Sequence, residues 1–146
     1  MSEQHLVELE FLLGEWKLNY RFPASDLSPA EGTGTGQGTF KKMLDDRFLR
    51  FEYTCSTTLG AGAAVGIFAW DAQASYFRYF WFENSGAFAT ARCRMEDRDT
   101  LFMEWEHERL VQTFHRDDTD RITLLMDQVK ADGSRHNVLE VRFSRM

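Results

Sequence analysis

The sequence predicts an all-β protein, an antiparallel up-and-down β-barrel of about ten strands with a short N-terminal helix plugging one end. Three observations predict it. Beyond Gly14, apolar and polar residues alternate with period two in segment after segment, as half-buried strands require. Short polar turns separate these segments, and no second helical stretch is long enough for a parallel crossover. Aromatic residues reach 14 %, with thirteen Phe, four Trp and four Tyr, and such side chains favour strands and fill barrel interiors.

Ser2 to Leu13 is the one helical stretch. Ser2, with Glu3 and Gln4 behind it, can cap free N–H groups, and Leu6, Leu9 and Leu13 with Val7, Phe11 and Leu12 form an apolar face. Gly14, tolerant of positive φ, ends it. Trp16, Leu18, Tyr20 and Phe22 then alternate with Lys17, Asn19 and Arg21, and Trp16 is on the buried side. Pro23 ends that strand. Ala24 to Gly32 is a polar loop holding Pro29, after which no proline interrupts a ladder. Gly32 to Phe40 is a strand with Gly34, Gly36 and Gly38 on one face, a flat track on which something large can lie.

Leu44-Asp45-Asp46 turns the chain into Arg47–Thr57, where Leu49, Phe51, Tyr53 and Cys55 oppose Arg50, Glu52 and Thr54. A glycine-alanine patch, Gly60 to Gly66, leads into Ile67–Trp70. Asp71 to Ala74 turns into the aromatic strand Tyr76–Glu83, and Asn84-Ser85-Gly86 is a strong turn signal. Ala87–Met95, Thr100–His107, Arg109–Arg116, Ile122–Val129 and Arg135–Ser144 complete the series. Closing so many strands into a barrel leaves no free edge, a two-sheet sandwich being the alternative. The 146 residues make one domain, 1–146.

The net charge of −6 argues against nucleic acid and against an anionic membrane surface as partners, since both recruit basic patches. No stretch approaches the roughly 18 apolar residues of a spanning helix. Cys55 and Cys93 form no CxxC, and Met1 to Glu10 lacks the apolar run of a secretory signal. The expectation is a cytoplasmic protein with two reduced thiols.

Leu12-Leu13-Gly14-Glu15-Trp16, a short helix ending in Gly-x-Trp at the first strand, resembles the opening motif of the lipocalin-like barrels. There the tryptophan packs across the closed base. Three further features extend the likeness over nearly the whole chain: the glycine-rich second strand, Gly66-Ile67-Phe68-Ala69-Trp70-Asp71, and Leu139-Glu140-Val141-Arg142-Phe143. The chain resembles a family of small, mostly bacterial, functionally uncharacterised calycin barrels, related in fold to nitrobindin, a ten-stranded haem-binding barrel, and more distantly to the fatty-acid-binding proteins. Nitrobindin ligates haem through a histidine in its last strand. In the best register Glu140 stands there, and a carboxylate is a poor substitute for imidazole on haem iron. His136 lies too far along the strand to replace it. No cofactor is therefore expected, and a nitrobindin-like haem protein is the third reading of function.

Few residues suggest chemistry. His5, His107, His115 and His136 show no metal-ligand spacing, so no metal is expected and they read as surface or rim residues. Glu104, Glu106 and Glu108 read as a solvated outer face. Gly32 to Gly38 lacks the Lys-Ser/Thr and the following helix of a phosphate loop. Cys55 reads as a buried structural thiol. No nucleophile–base pair can be assembled, so no catalytic residue is assigned. The expected ligand-binding residues are Trp16, Tyr20 and Tyr53 as aromatic lining, with Arg78, Glu140 and Arg142 as candidate charges. An inward Arg78 would demand a carboxylate such as Glu140 or an anionic ligand, and the resemblance implies that arginine and tyrosine can hold a carboxylate inside. The opposing reading pairs all three across strands on the outside, which the alternation of Leu139, Val141 and Phe143 supports. The leading expectation is a barrel for a small apolar or amphipathic anionic ligand. The second is a filled barrel that assembles as a homodimer through Phe77, Tyr79 or Trp81.

Overall fold

Residues opposite one another across an antiparallel ladder point to the same face, so register decides which side chains reach the interior. A computed structural model describes residues 5–25 and 30–146. It holds ten strands: β1 (Gly14–Phe22), β2 (Gly32–Met43), β3 (Phe48–Thr57), β4 (Gly60–Asp71), β5 (Tyr76–Glu83), β6 (Phe88–Asp97), β7 (Thr100–Trp105), β8 (Leu110–Asp118), β9 (Arg121–Val129) and β10 (Arg135–Arg145). Each pairs with its chain neighbour, and β1 pairs with β10 to close the barrel. The seam runs from Trp16 opposite Arg145 to Arg21 opposite Glu140. Closure rules out the sandwich. Several strand bounds differ from those expected: β4 joins the glycine-alanine patch to Ile67–Trp70, β2 runs on to Met43, β6 and β8 extend to Asp97 and Asp118, and β7 stops at Trp105, short of His107.

The turns follow from residue chemistry. Gly86 (φ 94) and Gly133 (φ 86) take the left-handed position in the loops after β5 and β9. Between β2 and β3 the left-handed positions fall on three successive non-glycines, Leu44 (φ 53), Asp45 (φ 59) and Asp46 (φ 60). Aspartate tolerates this backbone, whereas an exposed leucine gains nothing from it.

The N-terminal helix differs from the expected one. Its main body, Val7–Leu12, is a 3-10 helix. Three residues per turn bring Leu6, Leu9 and Leu12 onto one face, and these are fully buried, whereas Val7 is 53 % exposed. The cap expected from Ser2, Glu3 and Gln4 lies outside the described residues. Leu13 closes the helix by donating its N–H to the Glu10 carbonyl at 3.1 Å, and Gly14 (φ 118) turns the chain into β1.

This helix sits against the barrel floor. Trp16 is fully buried there, and its indole N–H donates to the Leu12 carbonyl at 2.8 Å, satisfying one of the helix's terminal acceptors. The Arg145 guanidinium lies 4.1 Å from the Trp16 ring centre and donates to the Leu13 carbonyl at 2.7 Å. One cation thus ties the last strand to the end of the helix. Phe40, Phe68, Phe77, Leu101, Phe114 and Phe143 fill the space above, each 1 % exposed or less apart from Phe143 at 2 %.

The glycine track has a specific use. Trp16, Leu18 and Tyr20 stand opposite Gly38, Gly36 and Gly34. A Cβ on Gly36 would collide with the Thr54 carbonyl oxygen, and one on Gly38 would come within 2.5 Å of the Phe51 ring. Bare backbone lets β2 and β3 bend together while Phe51 lies over the track and stacks on Phe40 at 4.0 Å.

Candidate ligand cavity

Above the floor the aromatic packing stops. A cavity of about 440 Å³ fills the half of the barrel remote from the helix. Its walls are mainly apolar, with Leu18, Phe51, Leu124, Met126, Leu139 and Val141 among them. Period-two alternation delivers these side chains, since each is on the same face of its strand as a floor residue.

Polar groups enter this wall sparingly. Tyr20, Tyr53 and Tyr79 line it, together with Cys55, Trp81, Trp105 and Gln112. The Trp81 indole N–H donates to the Tyr53 hydroxyl oxygen at 2.9 Å, which leaves the Tyr53 proton free to point elsewhere. Trp105 donates likewise to the Gln112 side-chain oxygen at 3.2 Å. Burial pushes Tyr53 up to about 12, against the opposing pull of the Trp81 N–H. Burial raises Tyr20 as well, helped by Cys55 and Tyr53, and holds Tyr79 well above its ordinary value. At neutral pH these three are uncharged hydroxyls. Tyr79 is held over Gly66, where any side chain would strike its hydroxyl.

The only charges that line the cavity among the described residues are Glu83 and Glu108, at the open end. Glu83 accepts the Ser85 hydroxyl at 2.6 Å. Glu108 escaped sequence reasoning because it lies beyond the end of β7. His107 is left-handed (φ 65), which breaks the alternation that would have kept Glu108 on the outer face with Glu104 and Glu106. Those two do face outward, Glu104 toward Arg94 at 3.4 Å and Glu106 accepting Thr90 at 3.0 Å.

The structure divides the expected site residues. Tyr20 and Tyr53 line the cavity. Trp16 lies beneath it, in the floor. Arg78, Glu140 and Arg142 do not enter it: inward positions on β5 go to Phe77, Tyr79, Trp81 and Glu83, and on β10 to Leu139, Val141 and Phe143, so the residues between them face out. Arg78 bonds Asp71 at 2.7 Å and the Tyr76 hydroxyl at 2.9 Å, with Glu106 at 3.8 Å. Glu140 lies between Arg21 at 3.9 Å and Arg142 at 3.7 Å. The inward anion-binding arginine is therefore corrected to an outer-surface ion pair. Phe77 and Tyr79 are buried inside and Trp81 lines the cavity, so none offers the dimer contact expected of them. The exposed aromatics are instead Phe82 and Phe88, opposite each other on the outer face. Cys55, expected to be buried, is half-buried at the cavity wall, and the interior is not filled.

The histidines serve local structure. His5 stacks on Trp70 at 3.8 Å, His115 bonds the Thr100 hydroxyl at 2.8 Å, and His136 lies 3.1 Å from the Ala24 carbonyl. Among the described residues no three His, Cys, Asp or Glu side chains gather as a metal site requires, and no helix is long and apolar enough to cross a membrane. Glu140, at the position the resemblance gives to a haem-ligating histidine, faces outward, and no histidine is among the described cavity-lining residues.

A closed ten-stranded meander with a packed floor and a one-ended cavity defines a β-barrel with room for a small molecule. The chain belongs to the family described as "Protein of unknown function (DUF1579)", whose model matches residues 2–145. No curated protein sequence matches it. Among solved structures it is similar to Rv2717c from M. tuberculosis, with a TM-score of 0.68 and 12 % identity over 97 % of this chain and 96 % of that one. It is also similar to the S-type phycobiliprotein lyase CPES from Guillardia theta, with a TM-score of 0.65 and 9 % identity over 99 % and 92 %. At these identities the likeness is one of fold.

Proposed function

We propose that this protein binds a small, largely apolar molecule inside the barrel and acts as a carrier or sensor. The cavity carries the proposal. Protein interiors are close-packed, with few voids larger than a water molecule, yet here about 440 Å³ stands open within an apolar wall. That falls inside the roughly 300–1,000 Å³ range of small-molecule pockets. The likeness in fold to a phycobiliprotein lyase supports a barrel that handles a ligand, and kinship with the lipocalins, nitrobindin and the fatty-acid-binding proteins belongs to the same proposal. A cytoplasmic location, where the free thiols of Cys55 and Cys93 stay reduced, accords with it. The expected anionic ligand loses its support, because Arg78 and Arg142 face outward.

A titration with the uncharged fluorophore N-phenyl-1-naphthylamine tests the reading. Saturable binding near one per chain is expected, with energy transfer from Trp81 and Trp105. Ala89→Trp, which puts an indole at the cavity wall, should weaken binding roughly tenfold or more by occupying the space. Absence of saturable binding to the folded protein would overturn the proposal.

A further inference from the structure

The chemistry of the cavity wall narrows the class of ligand. Deep in the cavity the polar atoms are chiefly the hydroxyls of Tyr20, Tyr53 and Tyr79, each able to donate a proton. Tyr79 is only 3 % exposed, and its hydroxyl stands above Gly66 at the cavity wall. Tyr53 takes the Trp81 N–H on its oxygen and so keeps its own proton to give. At the open end the two carboxylates of Glu83 and Glu108 meet whatever enters. Among the described residues, the other titratable groups of the loops at that end, Glu106, His107, Arg109, Lys130 and Asp132, do not line the cavity, and Arg21 and Glu31 border a separate cleft beside Phe22. Among the described residues the wall thus offers no cation to neutralise an anion, and a sulfonate or carboxylate at the mouth would meet like charges.

Building on the binding reading, we propose that the ligand is a neutral or cationic aromatic molecule bearing a hydrogen-bond acceptor. In this arrangement Tyr79 and Tyr53 donate to the acceptor, Trp81 and Trp105 pack against the rings, and Glu83 and Glu108 turn away carboxylates and other anions. Fatty acids are therefore poor ligands, although the barrel resembles those that carry them.

Two probes of one skeleton separate this proposal from the binding reading. N-phenyl-1-naphthylamine and 8-anilino-1-naphthalenesulfonate differ by a single sulfonate. The uncharged probe should bind at least about tenfold more tightly than the sulfonate. In the double variant Glu83→Gln, Glu108→Gln, the ratio of sulfonate to uncharged-probe affinity should rise about threefold or more. A urea unfolding transition and circular dichroism spectrum matching those of the parent show that the variant retains its fold. Equal or tighter sulfonate binding by the parent protein, or a ratio unmoved by the double variant, would overturn the ligand class while leaving the cavity a binding site. Failure of both probes to bind would remove the binding reading and the ligand class together.

Discussion

Two glycines that flank Cys55 of β3 from β2 and β4 show how far one hydrogen atom decides the fold. At Gly36 an added methyl would meet the Thr54 carbonyl oxygen, and neither backbone can withdraw without opening the β2–β3 ladder. At Gly62 the nearest atom is the Cys55 sulfur at 3.8 Å, an ordinary contact. Gly36→Ala should therefore cost about 2–4 kcal/mol in denaturant unfolding, and Gly62→Ala should stay within about 0.5 kcal/mol or stabilise slightly by restricting the unfolded chain. Tyr53 makes a pH prediction. Its folded pKa is pushed from 10.0 to about 12, so the native state keeps a phenol proton that the unfolded chain surrenders. The stability this confers is present below pH 10 and is lost as pH rises toward 12. Between those values the parent protein should lose on the order of 1–2 kcal/mol more than Tyr53→Phe, read from urea midpoints at each pH. At this scale, side chains within strands were legible from alternation. Glu108 was not, because the left-handed His107 resets the direction of the chain outside any periodic segment.

Elements were legible wherever only one face of a strand is apolar. In β1, Trp16, Leu18 and Tyr20 stand against Lys17, Asn19 and Arg21, and the inward face follows directly. In β5 both faces are aromatic, so period two left two solutions, and ion pairing with Asp71 and Glu106 reveals which side Arg78 occupies. That guanidinium is about a third exposed, and partly solvated ion pairs contribute little. Arg78→Met should lower stability by about 1 kcal/mol or less and leave the affinity for N-phenyl-1-naphthylamine unchanged. The helix taught the opposite lesson. Its leucines fit several periods, and only packing on the floor selects three residues per turn. Leu9→Ala should cost about 2–5 kcal/mol, as for other fully buried leucines, while Val7→Ala should change stability by less than about 0.5 kcal/mol. An α-helix that buried Val7 with Leu6 and Leu9 would give comparable losses at both sites.

Over the whole molecule, closure between the first and last strands makes the barrel one cooperative unit, yet its two halves have different tasks. The floor is close-packed around Trp16, Phe40 and Leu101, whereas the other half is a shell around empty space. A sequence can reveal aromatic abundance without revealing this division, because the same alternating pattern serves a filled end and an open one. What separates them is where large inward residues give way to Ala64 and Ala89 along β4 and β6. The halves should separate experimentally. A ligand that binds only the native state adds stability as RT ln(1 + [L]/Kd), about 2.7 kcal/mol at one hundred times Kd. N-phenyl-1-naphthylamine at that ratio should raise the unfolding midpoint accordingly. Leu101→Ala, a floor change, should lower the midpoint of the free protein by about 2–5 kcal/mol of stability while keeping the ligand-induced increment. Ala89→Trp should keep the free protein's stability and lose the increment at the same probe concentration. Loss of the increment in Leu101→Ala, with the chain still folded, would mean that floor and cavity form a single packed unit in which ligand and core residues are coupled.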